Sequence, residues 1–349
     1  MPRLKRIDCS SPGIRRRKVG KGFTYVDENG KKVTDEATLA RISALVLPPA
    51  WTDVWICSHP MGHIQAVGID VKGRKQYRYH DVWRVRRDAE KFDHMLGFAQ
   101  ALPSIRQRTA EDLGARGLTR ARVLACAVRL LDLGFFRIGT EGYAEENQTY
   151  GLATMRKKHV KIAGDTITFD YIAKSGKRRI QSVADPDVVE VVTELKGRSG
   201  GGHELLAWVD TDGKWCDVRS ADINAYIKEC SGGEFSAKDF RTWSATVLAA
   251  VALAVSSGVA RSESGRKRAI ARAMKEVSEY LGNTPAVCRS SYVDPRVVDR
   301  YTAGMTVMSA LACLDEESGL GGLHTHGAIE EAVLDLLSDE PSTAVKVAA

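Results

Sequence analysis

The spacing of apolar residues divides the chain into a strand-rich part and a helix-rich part. Before residue 80, WTDVWICS and HIQAVGIDV are rich in β-branched and aromatic residues and are separated by turn sequences, which predicts strands. GFTYVDENGKKV predicts a hairpin with its turn at residues 28–30. DEATLARISALVLPPAW predicts a capped amphipathic helix that ends before Pro48. We therefore expect a small β-rich domain, with one or two helices, at the N-terminus.

Helical periodicity prevails from Val82 onwards. LTRARVLACAVRLLDLG places apolar residues at helical spacing and ends at Gly134, and TWSATVLAAVALAVSS predicts a buried core helix. HVKIAGDTITFDYIAKSGKRRIQSV interrupts the helices with alternating runs, which predicts a three-stranded β element. EYLGNTPAVCRSSYV reads as a polar, basic helix with Thr284 as its N-cap and Pro285 in its first turn. The fold class is therefore α+β. The predicted boundaries are a basic arm at 1–22, a β-rich domain at 23–88, a mostly helical domain at 89–320 and a tail at 321–349.

The charge balance points to a polyanionic partner. The chain has 51 Lys and Arg against 44 Asp and Glu, a net charge of +7. RRRK at residues 15–18 suits either a solvated arm or an arm laid on phosphates. No run of eighteen apolar residues occurs, so we expect no membrane span, and the N-terminus lacks the apolar core of a secretory signal. Seven cysteines without a CxxC pair indicate reduced thiols in the cytoplasm.

Metal-binding patterns are missing from the sequence. The eight histidines show neither HExxH nor zinc-finger spacing. The HTH at residues 324–326 could chelate a metal, although a solvated tail explains it better. We therefore expect neither a metal nor a cofactor.

Several candidate residues suit phosphoryl transfer. Arg137 follows the helix that ends at Gly134, and Arg241 stands at the entrance of the most apolar helix, where a buried charge is costly unless it meets an anion. Free N–H groups and the helix dipole also favour phosphates at such entrances. Lys174 lies at a hairpin tip. Taken singly, Arg137 and Lys174 would be ordinary surface charges, and Tyr292 an ordinary packing tyrosine.

Together with Asn283 and Tyr292, these residues supply every function that such a reaction needs. Phosphoryl transfer requires positive charge on the non-bridging oxygens, an acid for the leaving oxygen and an in-line nucleophile. Arginine binds phosphate oxygens with a planar fork, and lysine is suited to protonating a leaving alkoxide. Flanking cations favour the phenolate form of a tyrosine. No metal is needed for this chemistry.

The chain resembles the small type IB DNA topoisomerases of poxviruses and bacteria over about residues 20–320. The motifs that carry the resemblance are GRKQYRYH, FFRIGTEGYAEENQTYGLATM, YIAKSGK, KDFRTW and LGNTPAVCRSSYVDP. The resemblance implies that Tyr292 forms a 3′-phosphotyrosyl link, that Arg137 and Arg241 stabilise the transition state and that Lys174 is the general acid to the 5′ oxygen. Asn283 stands where many relatives carry histidine. We therefore expect it to donate an uncharged hydrogen bond without proton transfer, giving a flatter pH dependence.

The resemblance also implies contacts with DNA. Gln76, Tyr77 and Tyr79 match a family segment that reaches the major groove, and Tyr143 and Lys238 match other contact positions. An ordinary basic turn with two strand tyrosines is the alternative for the first group. Thr140 replaces a lysine that reads bases in the viral relatives, so their pentameric cleavage preference is not transferred.

The resulting prediction is an enzyme that relaxes supercoiled DNA by reversible single-strand cleavage, without ATP or metal. It would be a monomeric two-domain clamp around duplex DNA, with the β-rich domain binding DNA and the helical domain catalytic, and it would act in the cytoplasm on the nucleoid. A tyrosine recombinase or integrase is the nearest alternative. The β-rich N-terminus and KDFRTW in place of an HxxR box argue against it, whereas AIEEAVLDLL leaves some room for a swapped C-terminal helix. An architectural DNA-binding protein would not explain the order of the catalytic-type residues.

Overall fold

The computed structural model describes residues 3–258, 262–317 and 327–342, and the chain divides into two compact units between Lys91 and Phe92. The first unit contains a five-stranded antiparallel sheet, and the second is largely helical with a three-stranded sheet. The predicted α+β class is therefore confirmed.

The N-terminal unit is a sheet with the strand order β2-β1-β3-β4-β5. The elements are β1 (Ile14–Val19), β2 (Gly22–Val26), α1 (Glu36–Ala44), β3 (Thr52–Ile56), β4 (Ile64–Ile69) and β5 (Lys75–Tyr79). On one face Val54 and Ile56 pack against Ile42 of α1, and on the other Trp55 and Val67 form a second small core. Because side chains alternate along a strand, both faces contribute buried residues.

The predicted basic arm at residues 1–22 is wrong for the run at residues 15–18. Residues 14–19 form β1, which pairs with both β2 and β3. Ile14 is buried, and the Arg16 guanidinium donates to the carbonyl oxygens of Pro48 and Trp51 at 3.0 and 2.7 Å. The Arg16 guanidinium carbon also lies 4.2 Å from the centre of the Phe23 ring. A run of arginines can therefore form a strand when their side chains find carbonyl and aromatic partners.

Three turns with the sequence Asp-x-x-Gly-Lys/Arg share one local structure. The Oδ1 atoms of Asp27, Asp70 and Asp210 each accept from the backbone N–H groups two and four residues later. The glycine of each turn has a positive φ, between 73° and 77°. This geometry closes the predicted turn at residues 28–30 and the turn that leads into β5.

The remaining elements follow the predicted helix-rich pattern. The helices are α2 (Asp81–Leu113), α3 (Arg120–Gly134), α4 (Glu141–Asn147), α5 (Pro186–Gly197), α6 (Ser220–Ser231), α7 (Ala237–Ser257), α8 (Glu263–Leu281), α9 (Pro285–Ser291), α10 (Pro295–Thr302), α11 (Met308–Glu317) and α12 (Ala328–Leu337). The strands are β6 (Val160–Ala163), β7 (Thr166–Ala173), β8 (Lys177–Val183), β9 (Ala207–Val209) and β10 (Trp215–Asp217). The predicted three-stranded element is the sheet β6-β7-β8, whereas the β9-β10 pair was not predicted.

Helix α7 is the central core helix of the second unit. By length and composition alone it could cross a membrane, but 72% of its most apolar window is buried inside the protein. It begins at Ala237, because the Asp239 carboxylate accepts from the backbone N–H of Ser236 at 2.8 Å and caps the first turn. Arg241 therefore lies in the second turn, not at the helix entrance as predicted.

The predicted C-terminal tail contains a packed helix. In α12 the residues Ile329, Val333 and Leu336 are buried, a spacing of four and three that places them on one face. The helix packs against α7, α10 and α11. AIEEAVLDLL, which the sequence predicts to be helix-like within the tail, is therefore a helix, and it packs on the core. The histidines at 324–326 lie outside the described residues.

Candidate active site

Arg137 is positioned by the end of α3. The helix ends at Gly134, and Phe135 adopts a left-handed conformation with φ 54°, which turns the chain sharply. A Cβ on Gly134 would lie 2.2 Å from the Phe136 ring, so only glycine fits this turn. The Arg137 carbonyl oxygen accepts from the N–H of Leu152 at 2.8 Å, and its guanidinium donates to Oδ1 of Asn283. The backbone of Arg137 is thus held by Leu152 and its guanidinium by Asn283, which lies between α8 and α9.

Arg241 is a buried guanidinium held by helix ends. It is 5% exposed, and its terminal nitrogens donate to the carbonyl oxygen of Phe135 and, at 2.8 Å, to that of Leu281. These carbonyls lie at the C-termini of α3 and α8, where the helix dipole favours a cation. Its Nε is buried without a protein partner. Burial, followed by the neighbouring charge of Arg137, lowers the pKa of Arg241 to about 10, so the group stays charged at neutral pH.

Neither arginine is neutralised by an acidic side chain. Within the described part of the chain, no carboxylate forms an ion pair with Arg137 or Arg241. Two guanidiniums that meet only neutral oxygens create a strongly positive site. Such a site favours an anion such as phosphate.

Tyr292 follows a helix instead of lying within one. The predicted continuous helix is wrong, because α8 ends at Leu281 and Gly282 adopts φ 63°. Thr284 does cap the next helix, as predicted, with Oγ1 accepting from the N–H of Val287 at 3.3 Å. This helix, α9, ends at Ser291, and Tyr292 is its C-cap with φ −130° and ψ −34°. The break between α8 and α9 and the end of α9 at Ser291 therefore determine where the Tyr292 side chain lies.

Helix α7 holds the backbone on both sides of the phenol. The hydroxyl of Thr246 is fully buried, 3.2 Å from the carbonyl oxygen of Tyr292. It also accepts from the N–H of Asp294 at 3.1 Å. The same helix carries Arg241, whose guanidinium carbon lies 5.5 Å from the centre of the Tyr292 ring. One rigid helix thus positions both the phenol and its neighbouring cation.

The environment of Tyr292 favours its phenolate. Burial acts to raise the pKa of Tyr292, but the charges of Arg241 and Arg137 outweigh burial and lower the pKa below its usual value. The phenol is partly buried and packs against the core of the unit.

Asn283 offers an unused hydrogen-bond donor. Its Oδ1 accepts from Arg137, while its Nδ2 is buried without a partner. A buried donor without an acceptor costs about 1–3 kcal/mol, so an oxygen that reached it would gain that interaction. The uncharged donor predicted from the sequence is therefore present beside Arg137.

Lys174 lies at the turn between β7 and β8. Ser175 and Gly176 have φ values of 69° and 72°, which makes the turn tight. The exposed Lys174 lines one depression together with Arg137 and Arg241. The structure thus brings together all five predicted residues of the site, since Tyr292 adjoins Arg241 and Asn283 contacts Arg137.

Two residues of the depression were missed in the sequence. Arg179 donates to the carbonyl oxygens of Glu279 and Tyr280 at 2.8 and 2.5 Å, and so caps the end of α8 beside Arg241. Tyr171 pairs with Arg179 across the hairpin and donates its hydroxyl to Gln181 at 2.8 Å. Burial raises the pKa of Tyr171. The strand alternation in YIAKSGKRR was the available signal, because it places these residues opposite each other.

The predicted DNA contacts on β5 lie on both faces of the strand. On β5, Tyr77 and Tyr79 lie on one face with ring centres 6.0 Å apart, whereas Gln76 points to the other face and donates to Asp70 at 2.9 Å. Lys238 is exposed in the first turn of α7. Tyr143 belongs to α4, but its side chain is outside the described residues. The described residues contain no group of three or more His, Cys, Asp or Glu suited to a metal ion.

Comparison with known proteins gives a consistent set of matches. The family described as "Eukaryotic DNA topoisomerase I, catalytic core" matches residues 72–311, and "Bacterial DNA topoisomerase IB, N-terminal domain" matches residues 22–70. The chain is 35% identical to DNA topoisomerase 1B of Acanthamoeba polyphaga mimivirus over 295 residues, which cover 83% of this chain and 87% of that protein. It is 22% identical to DNA topoisomerase 1B of vaccinia virus (strain Western Reserve) over 234 residues, 67% of this chain and 71% of the viral protein.

Proposed function

The chain belongs to the type IB DNA topoisomerase family, and from this we propose that it relaxes supercoiled DNA by cutting and rejoining one strand through Tyr292. The membership confirms the family that the sequence motifs predicted, and with it a DNA substrate. The observation that carries the proposal is the phenol of Tyr292 beside the buried Arg241, 5.5 Å from ring centre to guanidinium carbon. A tyrosine that served only for packing would not need a buried cation held against it.

The proposed reaction is a reversible transesterification. The phenolate of Tyr292 attacks the phosphorus, the bond to the 5′ oxygen breaks, and a 3′-phosphotyrosine forms. Lys174 donates a proton to the departing 5′ oxygen and accepts it again on rejoining. One phosphodiester is exchanged for another, so bond energy is conserved and ATP is not required.

The remaining residues stabilise the transition state. Arg137 and Arg241 bind the non-bridging oxygens, where negative charge accumulates during transfer. Asn283 donates its Nδ2 hydrogen to one of these oxygens, because its Oδ1 is already occupied by Arg137. In this assignment the asparagine contributes no proton.

The DNA-binding assignments extend the proposal. We assign duplex DNA as substrate, which the net charge of +7 supports, and the nucleoid of the cytoplasm as the setting, which the cysteine pattern supports. We also assign a monomer as the active form. Tyr77, Tyr79, Tyr143 and Lys238 are the proposed contacts with DNA. Gln76 would have to leave Asp70 before it could read a base.

The recombinase alternative gains no support. Helix α12, the segment that left room for a swapped helix, packs against α7 and α10 of its own chain. The first unit is built on a five-stranded sheet, and the family match covers the catalytic region.

Plasmid relaxation tests the function directly. The protein is incubated with negatively and with positively supercoiled plasmid in EDTA without ATP, and the reaction is stopped with detergent. We expect both plasmids to be relaxed and the protein to be trapped on the 3′ end of the nick. Relaxation that depends on ATP, a protein linked to the 5′ end or recombinant junctions in place of relaxed circles would refute the proposal.

A sulfur-containing substrate tests the role of Lys174. Lys174→Ala is expected to slow cleavage of ordinary DNA by about 10²-fold or more, because an alkoxide leaves poorly without an acid. With sulfur at the bridging 5′ position the deficit should largely disappear, since a thiolate, whose conjugate thiol has a pKa of about 8.5, leaves unaided. Single-turnover cleavage of both substrates measures the ratio. Lys177→Ala, which alters the same depression, is the control and should leave the ratio unchanged. An equal deficit on both substrates would exclude Lys174 as the acid.

The pH profile tests the roles of Tyr292 and Asn283. Because the pKa of Tyr292 is lowered, the phenolate forms at lower pH than in free tyrosine, and the cleavage rate should rise with pH and level off below about pH 10. Asn283 should add no inflection. Asn283→His should raise the rate relative to the native protein only at low pH, because the imidazolium is lost above its pKa of about 6.5 or lower. A native profile that already bends between pH 6 and 7 would contradict this assignment.

A further inference from the structure

A buried polar cluster that the reaction does not use joins four helices of the second unit. Arg106 of α2 donates to Asp132 of α3 at 2.8 Å and to Glu330 of α12 at 2.6 Å. Trp243 of α7 donates its indole N–H to the same Glu330 at 2.8 Å. Asp132, Glu330 and Trp243 are at most 9% exposed. The cluster is therefore well enclosed, and every one of these contacts is charge-assisted.

This cluster adjoins the helix segments that hold the site. Asp132 is two residues before Gly134, where α3 ends and the turn to Arg137 begins. Trp243 is two residues after Arg241 on α7. The two segments already meet directly, because Arg241 donates to the carbonyl oxygen of Phe135. The cluster thus holds α3 and α7 together within a few residues of the two catalytic arginines.

Helix α12 also braces the segment that follows the nucleophile. The guanidinium of Arg300 on α10 donates to the carbonyl oxygen of Ser338, just after α12, at 2.7 Å. Helix α10 begins three residues after Tyr292. One face of α12 therefore contacts α7, which carries Arg241, and its end contacts α10, which follows Tyr292.

From these contacts we propose that Glu330 is a positioning residue, which acts through Trp243 and Arg106 to hold Arg241 in register with Tyr292. The inference rests on the proposed function, since it assigns Glu330 to the geometry of that reaction. Glu330 touches neither DNA nor the reacting atoms. Its removal would leave the Trp243 N–H buried without an acceptor and Arg106 with one carboxylate instead of two.

The test compares Glu330→Gln with a matched variant elsewhere. Glu194→Gln is the control, because Arg122, a buried arginine, likewise binds two carboxylates, Glu190 and Glu194, at the opposite end of α3. We expect Glu330→Gln to slow single-turnover cleavage about tenfold, since small displacements of catalytic groups cost rate, with unchanged affinity for DNA. Glu194→Gln should lower the melting temperature without changing the cleavage rate.

A double mutant tests the route of the effect. Trp243→Phe should also slow cleavage. Glu330→Leu removes the oxygen that accepts from Trp243, and Glu330→Leu combined with Trp243→Phe should be no slower than the slower single variant, because both break the bond between Trp243 and Glu330. Should Glu330→Gln not fold, Trp243→Phe with the Glu194→Gln control decides alone. Native cleavage rates in Glu330→Gln or Trp243→Phe, an equal loss in Glu194→Gln or multiplying effects in the double variant would overturn the inference.

Failure of this inference can be separated from failure of the proposed function. If the native protein forms no covalent complex with DNA, the function itself is wrong. If the native protein and the Glu330 variant cleave equally well, the function stands and only the positioning role of Glu330 falls.

Discussion

Tyr292→Phe is expected to abolish DNA relaxation and the covalent complex while leaving DNA binding nearly intact. The substitution removes only the hydroxyl, whose oxygen would attack phosphorus, so cleavage should fall by about 10⁵-fold or more. The ring can still pack against the core, and the backbone bonds to Thr246 do not depend on the hydroxyl. Detergent-trapped complexes on end-labelled DNA measure cleavage, and fluorescence anisotropy measures binding.

The identity of the nucleophile can be tested against a second tyrosine near the same cations. Tyr171 lies in the depression, but its hydroxyl donates to Gln181 and burial raises its pKa, the reverse of the shift at Tyr292. Tyr280→Phe is the control, because Tyr280 is 51% exposed and its ring lies 5.8 Å from that of Phe135 at the edge of the site. Tyr280→Phe should cleave normally. A covalent complex in Tyr292→Phe would move the nucleophile elsewhere, with Tyr171 as the first candidate.

Sequence analysis could name the five candidate residues because the motifs that contain them are local. The alternation of YIAKSGKRR predicts the hairpin that carries Lys174, and Thr284 and Pro285 mark the start of α9. The contacts between these residues, in contrast, join positions that are far apart in the sequence. Asn283 meets Arg137 across 146 positions, and the partners of Arg241 are backbone carbonyls, which leave no trace in side-chain identity. Motifs could therefore name the residues, whereas only the fold shows how they are held.

The errors in the sequence analysis have physical causes. The basic run at residues 15–18 was taken for an arm, because its carbonyl partners at Pro48 and Trp51 lie far away in the sequence. Helix α12 was assigned to the tail and its packing was not predicted, because Arg106, which binds the carboxylate of Glu330, lies 224 positions earlier. The start of α7 was placed too late, although Ser236 and Asp239, which form a capping box, carried the signal for it.

Arg241→Ala is expected to reduce the cleavage rate by about 10³-fold or more, the range that a transition-state arginine supplies in other phosphoryl transfers. The loss has two parts, because the guanidinium both binds the phosphate oxygens and lowers the pKa of Tyr292. The ascending limb of the pH profile should therefore move to higher pH in the variant. Arg241→Lys should recover little activity, since an ammonium cannot bind the carbonyls of Phe135 and Leu281 and also present a fork to phosphate.

The control for Arg241 must separate catalysis from support of the helix end. Arg179→Ala removes another guanidinium that binds carbonyls in the last turn of α8. It should cost about 0.5–1.5 kcal/mol per hydrogen bond lost, because water can reach these exposed carbonyls. It leaves Arg241 beside the phenol, so its cleavage rate should stay within about tenfold of the native rate and its pH profile should move far less than that of Arg241→Ala. Equal rate losses in the two variants at matched stability would mean that Arg241 acts by holding α8 in place and not by binding the phosphate.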